Sequence, residues 1–205
     1  MQFRPKAVPK ETADRVLVES RAWFQDAKRT HKVMGHVIPR DEAAVFFGAH
    51  ASKSYRYGNH TMPLLEAAPL MEELRALARA QPGAGAMDLL VINQYQSGMD
   101  AVSWHADDEP IIDQTCPIVS FSFNEPGGAR TFRVRSKSKA APGAKRKSQT
   151  WTLDHGDMAV MPPGMQDTHE HAVLREPAVK GRRINFTFRT TRKAEGLPAK
   201  RARKE

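Results

Sequence analysis

The most regular stretch of the chain is Arg183-Ile184-Asn185-Phe186-Thr187-Phe188-Arg189, where polar and apolar residues alternate without a break. Strand side chains repeat every two residues. Ile184, Phe186 and Phe188 therefore share one face, and Arg183, Asn185, Thr187 and Arg189 the other. The polar face belongs either to a solvated edge strand or to a cavity wall whose two guanidiniums hold an anion. Short strands are also predicted at Leu89–Tyr95, Val102–His105, 118–123, 131–135, 149–153 and 158–161, and earlier at 33–39 and 43–47. Before them, apolar residues at helical spacing predict an amphipathic helix over 12–27. Pro69 opens a second helix over 70–80, which Gln81-Pro82-Gly83 ends. Helices followed by many short strands predict a mainly β, α+β fold with helices packed outside a sheet pair or roll.

Chemistry enters at His105-Ala106-Asp107, whose ends point the same way on an extended backbone. With a distant histidine they make two imidazoles and one carboxylate, the facial triad of non-haem Fe(II) sites with open coordination positions. His169-Glu170-His171 supplies two candidates for that histidine, and the pattern alone leaves both open. A second His-x-Asp, His155-Gly156-Asp157, reads as a turn between strands and serves as a control for chance matches. Asn93 and Tyr95 share a face of the preceding strand, where they could hydrogen-bond a carboxylate or keto oxygen.

Taken in order, Asn93-x-Tyr95, His105-x-Asp107, His171 and Arg183-x-Asn185-x-Thr187-Phe188-Arg189 resemble the AlkB family of Fe(II)- and 2-oxoglutarate-dependent dioxygenases. Trp104-His105-Ala106-Asp107-Asp108-Glu109-Pro110 and Leu153-Asp154-His155-Gly156 resemble its eukaryotic-type nucleic-acid repair branch. The likeness runs from about Ile38 to Arg189. It implies a double-stranded β-helix (jelly-roll) core and Fe(II) held by His105, Asp107 and His171, with 2-oxoglutarate and O2 as co-substrates. It also selects His171 over His169. Arg189, helped by Tyr95, is expected on the distal carboxylate of 2-oxoglutarate, and Arg183 and Asn93 at the end near the metal. Tyr55 and Tyr57 resemble a lid over a base pocket, with Tyr57 stacking on the base, and Glu109 an acid that reads it. The turn Asn124-Glu125-Pro126-Gly127-Gly128 is longer than the family's, which implies a different neighbouring groove. The implied activity is removal of N-alkyl groups, of the 1-methyladenine and 3-methylcytosine type, from DNA. The alternatives are the same reaction on RNA or tRNA, and a nucleic-acid-binding protein with a non-catalytic metal site.

Charge sharpens the setting. The net charge of +9 is concentrated: residues 133–149 carry +7 and residues 190–205 carry +4, leaving −2 for the rest. Such clusters are the footprint of phosphate-backbone binding, so Arg133 and Arg135, beside the expected site, are candidate substrate contacts. The 205 residues suffice for one domain with a sizeable core. The expected division is a helical extension over 1–30, a dioxygenase domain over 31–189 and a basic tail over 190–205. Cys116 is the sole cysteine, so a disulfide framework is excluded. With no membrane span and no secretory signal, a monomer in the nucleus or cytoplasm is expected.

Overall fold

The computed structural model describes residues 1–24, 32–33, 36–37, 41–48, 55–57, 60–138, 146 and 148–192. Two antiparallel sheets face each other. The larger is built from β1 (Gln2–Arg4), β4 (Asp41–Phe46), β7 (Leu89–Tyr95), β9 (Ile118–Asn124), β12 (Asp157–Met161) and β14 (Arg183–Arg189), in the order β1-β12-β9-β14-β7-β4. The smaller is built from β8 (Val102–His105), β10 (Arg130–Ser136), β11 (Ser148–Leu153) and β13 (His169–Val173), in the order β11-β10-β13-β8. Two short hairpins accompany them, β2 (Lys32–Val33) with β3 (His36–Val37), and β5 (Tyr55–Tyr57) with β6 (His60–Met62). This is the predicted jelly roll.

The alternating segment 183–189 is not an edge strand. It lies between β9 and β7, and all seven of its residues are buried. Its apolar face, with Val119, Phe121 and Phe123 of β9, packs under two helices, α1 (Lys10–Trp23) and α2 (Pro69–Arg79). Leu70, Met71, Leu74 and Ala78 form the buried stripe of α2, and Ala13 and Val16 are buried on α1. Pro69 sits at the start of α2, where its missing N–H costs nothing. The polar faces of β14 and β9 look the other way, into the space between the sheets. A second apolar cluster, including Val102, Phe132, Val134 and Val173, closes that space from the smaller sheet.

Two expected boundaries move. Residues 1–24 are integral to the fold, not an extension: β1 is an edge strand of the larger sheet, and α1 is part of its main core. At the other end, Thr190 and Thr191 are buried, and Thr191 donates its N–H and hydroxyl to Asp88 at 2.7 and 2.6 Å. The tail from 193 onward, the last residues of the helix expected to reach 27, and part of the strand expected over 33–39 lie outside the described residues. The long turn at 124–128 is tied to α1, and its Glu125 lines a surface groove with Arg21, Gln94, Gln96, Lys180 and Arg182. Glu125 accepts from Arg182 and Arg21, which tie it to the helix, and no residue of the turn lines the cavity. His155-Gly156-Asp157 is a turn entering β12, with Gly156 at φ +82°, and the His155 ring bonds Asp14 and the Asn124 N–H.

Candidate active site

His105 ends β8, Asp107 follows two residues later, and His171 sits in β13 directly opposite His105 in register. One ligand atom from each of the three lies within 4.8 Å of the others. Asp107 Oδ1 is 3.7 Å from His105 Nε2 and 3.9 Å from His171 Nε2. The ring of His105 is held by Nδ1, 2.8 Å from the Ser103 carbonyl. A carbonyl only accepts, so Nδ1 carries a proton and Nε2 is the nitrogen turned to the triad. Burial, followed by repulsion from His105, pushes the pKa of His171 down to about 3, which keeps that imidazole neutral as a metal ligand requires. Burial alone would raise the pKa of Asp107. Arg189 and the two imidazoles outweigh it and hold the carboxyl at about 2. Two glutamines fix the Asp107 peptide: its N–H donates to Gln166 Oε1 at 3.0 Å, and its carbonyl accepts from Gln114 Nε2 at 2.8 Å. Gln166 lies on the short helix α3 (Met165–Thr168), immediately before the strand that carries His171. His169, by contrast, contacts Thr168 Oγ1 and does not line the cavity.

The triad lies on a cavity also lined by Tyr55, Asn93, Tyr95, Glu109, Ser120, Arg183, Asn185, Thr187 and Arg189. The expected order of the two arginines is reversed. Arg189 donates Nε and Nη2 to Asp107 Oδ2 at 3.0 and 2.5 Å, which puts it at the triad end. Arg183 lies at the other end, beside Tyr95, and gives Nη2 to Ser122 Oγ at 2.8 Å. Its Nε and Nη1 are buried without a hydrogen-bond partner. An orphaned, forked cation on a cavity wall fits a carboxylate, because buried donors left unpaired are costly. The donor set at each end therefore fits its group: two imidazoles and one ionised carboxylate for a divalent metal, and an open guanidinium fork for the far carboxylate of an oxo acid. Asn185 is spoken for, donating to Ser120 Oγ and the Phe121 carbonyl.

On the cavity wall, Tyr55 is buried and meets Phe46 edge-on, with ring centroids 6.4 Å apart. Burial, then the nearby Asp107, pushes the pKa of Glu109 up to about 7, and one of its oxygens has no partner. The Tyr57 side chain lies outside the described residues. Arg133 and Arg135 do not reach the cavity. Phe132 takes the cavity side of β10, so the alternating arginines point to the outer face of the smaller sheet. There Arg135 pairs with Glu170 and lies 3.9 Å over the Trp104 ring, while Arg146 shares the same carboxylate. Lys137 pairs with Asp108; Lys139, Lys145 and Lys147 lie outside the described residues. Ser120, Ser122, Gln114 and Gln166 were not anticipated. The two serines carry the same alternation that marks β14; the glutamines carry no periodic signal.

Comparison with known proteins adds family. Residues 1–189 match the model of the 2OG-Fe(II) oxygenase superfamily. The DNA oxidative demethylase ALKBH2 of Arabidopsis thaliana is 35% identical over 138 residues, covering 59% of this chain and 43% of that protein. The alpha-ketoglutarate-dependent dioxygenase alkB homolog 3 of Rattus norvegicus is 33% identical over 144 residues, covering 66% and 46%. The mouse DNA oxidative demethylase ALKBH2 is 27% identical, with coverage of 88% and 75%. The match to the first two thus spans under half of their length. The solved structure of OsALKBH1 shares the fold, with a TM-score of 0.53 at 17% identity and coverage of 92% and 95%.

Proposed function

The chain belongs to the 2OG-Fe(II) oxygenase superfamily, and we propose that it is an AlkB-type oxidative demethylase of N-alkylated bases in DNA, a reading its likeness to ALKBH2 and alkB homolog 3 supports. The observation that carries the reading is one closed arrangement. A His-Asp-His triad, with Asp107 and His171 buried and His105 partly so, stands at one end of a cavity, and an arginine with two unpartnered donors stands at the other. His105, Asp107 and His171 would hold Fe(II), and Arg183 with Tyr95 would hold the distal carboxylate of 2-oxoglutarate. When bound, Fe(II), 2-oxoglutarate and O2 supply insertion of one oxygen atom into a methyl C–H bond, with the oxo acid leaving as succinate and CO2. The resulting N-hydroxymethyl group leaves as formaldehyde and restores the base N–H or lone pair.

This chain's residues bind and orient. Arg189 holds Asp107 so that Oδ1, not Oδ2, faces the two imidazoles. Val91, Val102, Phe132 and Val173 give the cavity apolar walls that keep water from the reacting centre. Tyr55 and Glu109 line the same cavity, where they would meet a flipped-out or single-stranded base. The names of the ALKBH2 relatives support DNA as the substrate. The test is a panel of DNA and RNA oligonucleotides carrying 1-methyladenine or 3-methylcytosine, supplied with Fe(II) and 2-oxoglutarate. We expect loss of one methyl mass from the DNA members. Methyl loss confined to RNA would replace the proposed substrate. Loss from neither, while 2-oxoglutarate is consumed, would refute demethylation.

A further inference from the structure

Arg130, the first residue of β10, is 1% exposed and ranks among the most deeply buried side chains of the molecule. It does not line the cavity. Nη1 donates to the Ser97 carbonyl at 3.0 Å, and Nη2 to the carbonyls of Asp100 and Leu174 at 2.9 and 2.7 Å. Its Nε has no partner. The carbonyl dipoles fix the fork without bringing net negative charge, while the nearby Glu176 and Asp100 carboxylates act in favour of the buried cation.

Its central carbon lies 5.4 Å from the centroid of the Tyr95 ring, and that of Arg183 lies 5.1 Å from the same ring. Both distances are within the range of cation–π attraction. Burial pushes both guanidiniums down in pKa, and each arginine feels Tyr95 as a favourable partner, while Arg130 acts against the charge on Arg183. One tyrosine thus serves two buried cations at the inner end of the cavity, and the cation on the cavity side has two unsatisfied donors. With Glu176 partly balancing the two guanidiniums, their unfilled donors still favour an arriving anion, because buried charges are stable only when paired and hydrogen-bonded. The carbonyl bonds by themselves would make Arg130 a staple for the loops at 97–100 and 174. A staple has no need of a charge set against the ring that faces the cavity.

We propose that Arg130 is a positioning residue for the distal carboxylate of the oxo acid: it braces Tyr95 and adds a second buried positive charge behind Arg183, so that the cavity selects dianionic over monoanionic 2-oxo acids. The inference rests on the family's co-substrate and is independent of which alkylated base, in DNA or RNA, is repaired.

The test compares binding of 2-oxoglutarate and 2-oxopentanoate, which has a methyl in place of the distal carboxylate, by calorimetry on the Mn(II)-loaded protein. Arg130→Gln keeps hydrogen-bond donors and removes the charge. It should weaken 2-oxoglutarate binding about tenfold and leave 2-oxopentanoate within about twofold, with 2-oxoglutarate turnover at saturation changed by less than about twofold. Arg130→Lys restores the charge without the flat fork, and should weaken 2-oxoglutarate only about threefold with 2-oxopentanoate unchanged. Should Arg130→Gln fail to fold, the lysine variant carries the test by itself. Equal weakening of both acids, the signature of a staple, overturns the proposal. So does wild-type 2-oxoglutarate affinity in either folded variant.

Discussion

Asp107 serves two partners at once, with Oδ1 toward the imidazoles and Oδ2 on the Arg189 fork. Asp107→Ala should therefore abolish both metal binding and 2-oxoglutarate turnover. His155→Ala should spare both, because that imidazole is bonded to Asp14 and the Asn124 N–H, away from the cavity. A dead His155→Ala protein that still folds would contradict the site. The two arginines separate by readout. Arg183→Met removes the open fork and should cost oxo-acid affinity about 2–5 kcal/mol, the loss for a desolvated charged pair. Arg189→Met releases Asp107 and should lower metal affinity about 10–100-fold, the usual cost of losing a ligand's outer partner. Metal and 2-oxoglutarate titrations of both variants would show the reverse pattern had the sequence-based order been right. The ligand set was legible because His-x-Asp spacing and a distal histidine are chemical signals. The order of the arginines was not, because alternation tells which face a residue takes and not which end of the strand meets the metal. Arg133 and Arg135 run beside His171 on β10 but take its outer face, since Phe132 and Val134 take the inner one, so any contact they make with a substrate backbone lies outside the cavity.

At the scale of elements, strands 89–95 and 102–105 match the sequence reading to the residue: the first opens on the apolar run Leu89–Ile92, and the second alternates Val102 and Trp104 with polar Ser103 and His105. The three-residue β1 and the strand holding His171 were missed. Both are too short or too polar for period-two alternation to register, and tertiary pairing makes them. For β1 and α1 the structure makes a stability prediction. Val16 is fully buried in the main core, so Val16→Asp places an unpaired charge there and should cost several kcal/mol in a urea melt, or prevent folding (about 3 or more by analogy with other buried charges). An unchanged melt would make residues 1–24 an appendage after all. On the outer face of the smaller sheet, Glu170 already occupies Arg135 and Arg146. If Lys137 and Arg146 nevertheless contact phosphates, neutralising both should flatten the salt dependence of oligonucleotide binding by about 0.7–0.9 log units per lost contact. A wild-type slope would leave those charges no role in binding.

The whole molecule assigns one job to each side of the larger sheet. Its apolar face meets two helices and supplies most of the core, while its polar face and the smaller sheet enclose the cavity. A single alternating strand, β14, serves both, which is why the segment most regular in sequence is also the one that spans the site from Arg183 to Arg189. The proposed function couples oxo-acid decarboxylation to demethylation in one reaction. The most direct measurement follows a DNA oligonucleotide carrying one 1-methyladenine, with wild-type protein, Fe(II) and 2-oxoglutarate, and quantifies succinate, formaldehyde and unmethylated adenine together. The three products should appear in equal amounts, and all three should vanish in Asp107→Ala. Succinate formed without formaldehyde or unmethylated adenine, or demethylation that survives in Asp107→Ala, would contradict the account.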